Sequence, residues 1–347
     1  MKSTARSQFA NHKQGNMQSI ESIPISLGFE DVAISQKKNL LKSRLDANIE
    51  SEIIRGVFRP IPLIAANMNS VINPDFYIKL YNLGAFAVLH RACDYEQQLA
   101  DIKKVASRCE WVASSVGISE SDFESLATFV HFGMNVCFID VAHGYSDFIL
   151  DYAKKIKREY PGLKLVLGNT TNVGLLEESS EFADAIKVGI AQGFACETAN
   201  TAGCTEKQFS AVLKFKERSR QLGVPIISDG GIREAGDFSK SIAAGANSAM
   251  AGKIFAMCPE SAAEVVMQDG MLKKRYVGMA ARATQNEWKG GLKAGTCSEG
   301  GVRFINIGES SEALLERYSG ALRSSITYGG GIDIKSFQDS VEFVRFK

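Results

Sequence analysis

Apolar residues in this chain gather into eight strand-length runs, separated by stretches whose apolar positions recur at helical spacing. The runs lie at 62–66, 85–90, 111–117, 136–142, 163–168, 184–190, 224–229 and 246–252. Helices are predicted between them at 74–83, 95–107, 120–132, 145–159, 172–180, 206–222 and 234–243, with a last one at 309–322. In 206–222, Phe209, Val212, Leu213, Phe215 and Leu222 fall largely on one face, with Lys, Glu and Arg on the other. Strands that are apolar throughout are buried on both faces, and their alternation with amphipathic helices predicts a parallel sheet covered by helices. Eight such units, with no GxGxxG after the first strand, predict an α/β fold of the (β/α)8 TIM-barrel type rather than an open dinucleotide-binding sheet.

A barrel carries its active face at the C-terminal ends of its strands. Polar residues and glycines collect there in this chain. Asn67, Met68 and Asn69 follow the first run, His90 and Arg91 the second, Asp140 and His143 the fourth, and Asn169 and Thr170 the fifth. Cys196 and Thr198 follow the sixth, Asp229-Gly230-Gly231 closes the seventh, and Gly252-Lys253 closes the eighth. Cys196 is the candidate nucleophile, a thiol on a loop where a thiolate can be held against a substrate; taken alone, such a cysteine is more often an inert core residue. Asp229, the two glycines and Gly252-Lys253 sit where this fold usually binds phosphate, and describe a site for a phosphorylated sugar. Asp140 is either a ligand group or a helix cap, and His90 and His143 are either bases or structural. Glu299 is a solvated acid unless its segment folds over the site.

After the eighth run the pattern loosens. Residues 270–303 hold Gly, Lys and Arg with little periodicity, the composition of a mobile flap. The expected organisation is a flexible arm over 1–22 and a single barrel domain over 23–347.

Composition narrows the partners. A net charge of +1 over 347 residues supplies no field for nucleic acid or an anionic membrane. The longest apolar runs are strand-sized, and no signal peptide is expected. Seven scattered cysteines without a CxxC pair predict neither a disulfide framework nor a zinc site, and a cytoplasmic setting is expected.

Six segments taken together resemble the IMP dehydrogenase/GMP reductase family from about residue 28 onward. They are Pro62-Leu-Ile-Ala-Ala-Asn-Met68, Lys187-Val-Gly with Cys196-x-Thr198, Ile227-Ser-Asp-Gly-Gly231, Tyr276-Val-Gly-Met279, Ser298-Glu-Gly300 and Leu322-Arg-Ser-Ser-Ile-Thr-Tyr328. The single helix between the second and third strands, where dehydrogenases usually insert a regulatory domain, and Arg282-Ala283 in place of an Arg-Tyr pair favour the reductase branch. His143-Gly144 is nearer the dehydrogenase pattern.

The resemblance implies NADPH-dependent reductive deamination of a guanine nucleotide. In this scheme Cys196 forms a covalent thioimidate, and Thr198 and Glu299 move protons. It implies substrate contacts at Asp229, Gly230, Gly231, Gly252, Lys253, Gly278 and Met279. Cofactor contacts are implied at Ser43, Arg44, Asp140, Val141, Ala142, Ser324, Ser325, Ile326 and Thr327, along with a potassium-like cation at Ala191, Gly193 and Cys196 and a homotetramer. The alternatives are an NAD-dependent IMP dehydrogenase and a catalytically silent purine-nucleotide-binding barrel.

The chain departs from the family at four places. Gly-Pro-Gly-Ser becomes Ala191-Gln192-Gly193-Phe194, an Arg becomes Ala199, a Gly-Gly becomes Gly252-Lys253, and a Tyr-Arg becomes Gly295-Thr296. These changes surround phosphate, cation and cofactor, so the chemistry is expected to persist while the nucleotide's modification, deoxy state and phosphorylation stay open.

Overall fold

The computed structural model describes residues 22–292 and 294–346, so the arm expected over 1–22 lies, Ser22 apart, outside the described residues. All eight apolar runs form strands: β1 (Leu63–Ala65), β2 (Phe86–Ala87), β3 (Ala113–Val116), β4 (Val136–Ile139), β5 (Lys164–Thr170), β6 (Ala185–Val188), β7 (Ile226–Asp229) and β8 (Ser248–Ala251). They pair in the order β2-β1-β8-β7-β6-β5-β4-β3. The two remaining edges meet where Leu89 bridges Ser114 in parallel, with Leu89 N on Ala113 O and Ser115 N on Leu89 O, each at 2.9 Å. That contact closes the barrel, as the strand count and helix alternation predict.

The helices begin where the sequence supplies caps. Those used below are α1 (Pro74–Asn82), α2 (Tyr95–Ala106), α3 (Glu120–His131), α4 (Asp147–Glu159), α5 (Gly174–Ser179), α6 (Gln208–Leu222), α7 (Ala235–Ala243) and α8 (Ser311–Tyr328). Side chains of Asn73, Asp94, Ser119, Ser146 and Ser310 accept first-turn amides of α1, α2, α3, α4 and α8. Gly223, at φ 61°, ends α6 in the left-handed conformation that favours glycine.

Alternation along the strands builds the barrel interior. Ile64, Phe86, Ala113, Val136, Phe138, Val166, Ala185, Ile227 and Met250 form one buried cluster. A hairpin, Ser51–Ile54 with Val57–Arg59, adds Ile53, Ile54 and Val57 to it. Arg55 N donates to Asp184 O just before β6, so this hairpin plugs the N-terminal end. Side chains repeat every second residue. Continuing the inward series Phe138, Ala185 and Ile227 by two residues brings Asp140, Lys187 and Asp229 to the open, C-terminal end.

The stretch that reads as unpatterned holds regular structure. Strands β9 (Glu264–Gln268), β10 (Met271–Val277) and β11 (Val302–Asn306) form an antiparallel sheet with β10 at its centre, and a helix spans Arg282–Lys289. Met271-Leu-Lys-Lys-Arg275 looks like a polar loop because its lysines conceal the strand. Lys274 is 1% exposed, and its ammonium is satisfied by the carbonyls of Cys258, Pro259 and Ser261 at 2.6, 3.1 and 3.2 Å. Burial is thus met by backbone oxygens, a solution no periodicity reveals. Among the described residues no helix is long and apolar enough to cross a membrane.

Glu260 fastens α8 and α1 to this region, accepting from Ser311 Oγ at 2.9 Å and Lys79 Nζ at 2.8 Å. Partial burial opposes its ionisation, but the bonds from Lys79, its own backbone and Ser311 outweigh that and hold its pKa at about 2. A carboxyl depressed from 4.5 stabilises the fold above the unfolded value and loses that contribution as pH falls toward 2. Chemical denaturation should therefore show the wild type losing more stability than Glu260→Gln between about pH 5 and pH 2.5. Parallel losses would overturn this assignment.

Candidate active site

Three chain segments meet at the open end of the barrel. The loop after β6 carries Cys196 and Thr198. Glu299 comes from the segment before β11, and Gly278–Ala281 follows β10. Gly300 pairs with Cys196 on one side and Ala281 on the other, with Gly301 N on Ala195 O and Glu197 N on Glu299 O, both at 2.8 Å. A Cβ at Gly300 would lie 2.5 Å from Ala281 N, so only glycine lets the three backbones approach.

This seam lines up Cys196, Thr198 and Glu299. Thr198 Oγ1 donates to Glu299 Oε2 at 2.7 Å, and Cys196 Sγ lies 3.2 Å from Thr198 Oγ1. Because the hydroxyl proton is directed at the carboxylate, the thiol donates to threonine. The result is a proton path from sulfur through hydroxyl to carboxylate. The other cysteines divide clearly. Burial pushes Cys93, Cys137 and Cys258 up to about 12 and Cys109 to about 11, keeping them as thiols, while Cys204 and Cys297 are exposed.

The triad faces a cavity of about 370 Å³. The sequence-predicted residues that line it are Cys196, Thr198, Glu299, Asp229, Gly278, Met279, Asp140, Val141, Ala142, Ala191 and Gly193, together with Asn67, Met68, Arg91 and Asn169 from the strand ends. At its floor Asp229 Oδ2 accepts from Lys187 Nζ and Asn169 Nδ2, both at 2.8 Å. Burial opposes charge on Lys187, but Asp229 and Asp140 outweigh it and raise its pKa, so it remains an ammonium. Asp140 is held by Arg91, whose guanidinium also lies 4.8 Å from the centre of the Trp288 ring.

Other predicted residues lie elsewhere. Gly230, Gly231, Gly252 and Lys253 are beside the cavity without lining it. Ser43, Arg44 and Ser324 form a separate group in which Arg44 Nη1 donates to Ser324 Oγ at 3.1 Å, and Ile326 and Thr327 are buried in α8. His90 is outside the cavity lining, and burial pulls its pKa down to about 4, leaving it neutral. The loop expected to hold a cation is shaped by its own bonds. Gly193 O accepts from Cys196 N at 2.9 Å, and Ile190 O accepts from Gln192 Nε2 at 3.1 Å and Thr205 Oγ1 at 3.0 Å. The Gly193 carbonyl, one of the three expected cation ligands, is thus engaged within the loop.

Sequence reasoning missed Trp288, Gln285 and Lys289 as cavity-lining groups and Lys187 as the partner of Asp229. Inward register was the available signal for Lys187. A tryptophan in a Gly- and Lys-rich segment was the signal for Trp288.

The comparisons agree with this geometry. The family model described as the IMP dehydrogenase / GMP reductase domain matches residues 26–347. Similar proteins include GMP reductase of Shewanella halifaxensis, 30% identical with 92% of this chain and 95% of that protein covered. GMP reductase of Onchocerca volvulus is 30% identical over 95% and 93% of the two chains. Mouse GMP reductase 2 is 30% identical over 92% and 94%. A match over almost the entire chain, on a closed barrel with a thiol–hydroxyl–carboxylate path at its open end, places the protein in the IMP dehydrogenase/GMP reductase family.

Proposed function

We propose that this protein catalyses NADPH-dependent reductive deamination of guanine in a guanine nucleotide, with GMP giving IMP and ammonia. The observation that carries this reading is the path from Cys196 through Thr198 to Glu299. Glu299 accepts the thiol proton through Thr198, and the thiolate adds to C2 of the guanine ring. The same proton returns to the exocyclic amino group, which leaves as ammonia, and a thioimidate joins Cys196 to C2. NADPH, when bound, supplies the hydride that takes the amino group's place at C2. Cys196 then departs as thiolate and is reprotonated from solvent by way of Glu299 and Thr198.

The cavity walls suit these partners. Gly278 and Met279 lie beside Cys196 to receive the base. Lys187 and Asn169 both hold Asp229 Oδ2, leaving Oδ1 to accept from ribose hydroxyls. The wall of Asp140, Val141 and Ala142, with Arg91 and Trp288, fits a flat nicotinamide ring that has apolar faces and polar edges.

Glu197, between the nucleophile and Thr198, forms an ion pair with Arg303 of β11. Bonds from Asn200 and Arg303 lower its pKa, so the pair persists well into acid pH. It clamps the catalytic loop to the strand that follows Glu299.

Absorbance at 340 nm tests the reading. GMP with NADPH should lose signal, while IMP with NAD should gain little; the reverse pattern would indicate the dehydrogenase, and silence in both would count against both activities. Cys196→Ala should abolish turnover and the covalent adduct seen by intact mass. Thr198→Val and Glu299→Gln should each lower kcat by about 10²- to 10⁴-fold. Arg303→Met should lower kcat about tenfold with little change in KM, since it displaces Glu299 relative to Thr198 rather than removing a ligand contact. An unchanged kcat would show that the backbone seam alone positions the triad.

A further inference from the structure

The flap sheet is joined to the barrel by a buried charge. Lys274 lies in the middle of β10, and four oxygens surround its ammonium: the carbonyls of Cys258, Pro259 and Ser261 at 2.6, 3.1 and 3.2 Å, and Ser261 Oγ at 2.6 Å. Ser261 Oγ gives its own proton to Ala256 O at 2.7 Å, so toward the lysine it only accepts. All four oxygens are neutral, and all belong to the turn 258–261, which follows β8 and the short helix Lys253–Ala256. Neutral oxygens turned inward in this way can replace the hydration shell of a monovalent cation. Here the cation is a side chain of the flap. Burial lowers its pKa, and Glu260 in the same turn works against that fall.

Lys274 also marks where support for the sheet ends. On its face of the sheet, Met267 and Leu272 toward the hairpin tip are exposed, whereas Tyr276 and Ile305 are buried. Side chains on one face recur every second residue, so Lys274 and Tyr276 are neighbours about 7 Å apart along the strand. Tyr276 lines the cavity. The next residue, Val277, is tied to the barrel by Ser70 Oγ, which lies 3.1 Å from its amide and 3.0 Å from its carbonyl. Gly278 N then donates to Gly301 O at 3.0 Å, beside the Gly300 seam. In β11, Val302 pairs with Val277 and Ile305 with Lys274, so the strand that follows Glu299 hangs on the same β10.

We propose that Lys274 is a positioning residue whose ammonium serves as a tethered monovalent cation, fastening the flap to the barrel at the point that sets Gly278, Met279 and Glu299 against Cys196. Strand pairing fixes the segments of the flap relative to one another, but it does not fix the sheet relative to the barrel. The oxygen cage does so, with several charge-assisted bonds made by one atom. Because those bonds converge on a single turn, losing the charge frees the sheet while leaving the barrel strands paired. The kinetic consequence rests on the guanine-reductase reading, and the structural consequence stands without it.

Hydrogen exchange read by mass spectrometry on the intact protein tests this at the amides of 278–281 and 299–303. Lys274→Ala should raise their exchange about tenfold while β1 to β8 stay protected. The cation n-propylammonium, which supplies the missing stem and charge, should restore protection, and tetramethylammonium should not. Lys274→Met keeps an apolar stem without the charge; it should exchange as Lys274→Ala does and gain nothing from n-propylammonium, and it decides the matter alone if Lys274→Ala does not fold. With GMP and NADPH, kcat should be about tenfold lower in both variants and recover only in Lys274→Ala with n-propylammonium. Unchanged protection in Lys274→Met, no recovery of folded Lys274→Ala with n-propylammonium, or loss of protection spread evenly through the barrel would overturn the inference. Looser flap amides with kcat unchanged would also overturn it and leave the reductase reading intact. The expected exchange pattern in a protein whose wild type does not oxidise NADPH with GMP would support the cation's structural role and overturn the reductase reading.

Discussion

The seam at Gly300 is the constraint on which the active site depends. Cys196 and Thr198 share a loop, but the carboxylate that completes the proton path lies 101 residues further along the chain. It arrives because the segment 299–301 runs between 195–197 and 278–281 and satisfies backbone groups on both sides. Backbone pairing fixes position to within a fraction of an ångström, which a flexible glutamate on a free loop could not achieve. The Glu197–Arg303 pair adds a side-chain tether at the same place, and its link to β11 connects the flap sheet to the chemistry.

Below the seam, the barrel sets the floor of the site through its two-residue period. Inward positions that are apolar at mid-barrel become Asp140, Lys187 and Asp229 one step nearer the open end. The apolar layers exclude water, and the charged layer above them balances itself: Lys187 remains charged because two carboxylates face it. An isolated charge at that depth would have been neutralised. Lys274, inside the flap sheet, is met differently, by carbonyls and a hydroxyl alone.

The loop before the nucleophile shows how one motif can serve either a ligand or the fold. Asp-Gly-Gly after β7 has the composition of an anion cradle, and its glycines are indispensable in either case. Here the amide hydrogens of Gly230 and Gly231 point at Met250 and Gln192. Resemblance pointed to Cys196, Thr198 and Glu299, and the structure brings all three to one cavity. It does not determine the rim, where Phe194 and Lys253 replace family residues.

The sequence by itself determined the eight strands, their parallel alternation with helices and the barrel, because these rest on local periodicity, while the grouping of Cys196, Thr198 and Glu299 came from the family resemblance. Helix starts were legible for the same reason, since Asn73, Asp94 and Ser119 act on amides within three residues. Only the tertiary structure decided that 271–277 is a strand, that Ser43 and Arg44 sit apart from Asp140, that Trp288 faces Arg91 and that the Gly231 amide is occupied. Each of these depends on a partner distant in sequence, and hydrogen bonds between distant segments leave no period in the chain.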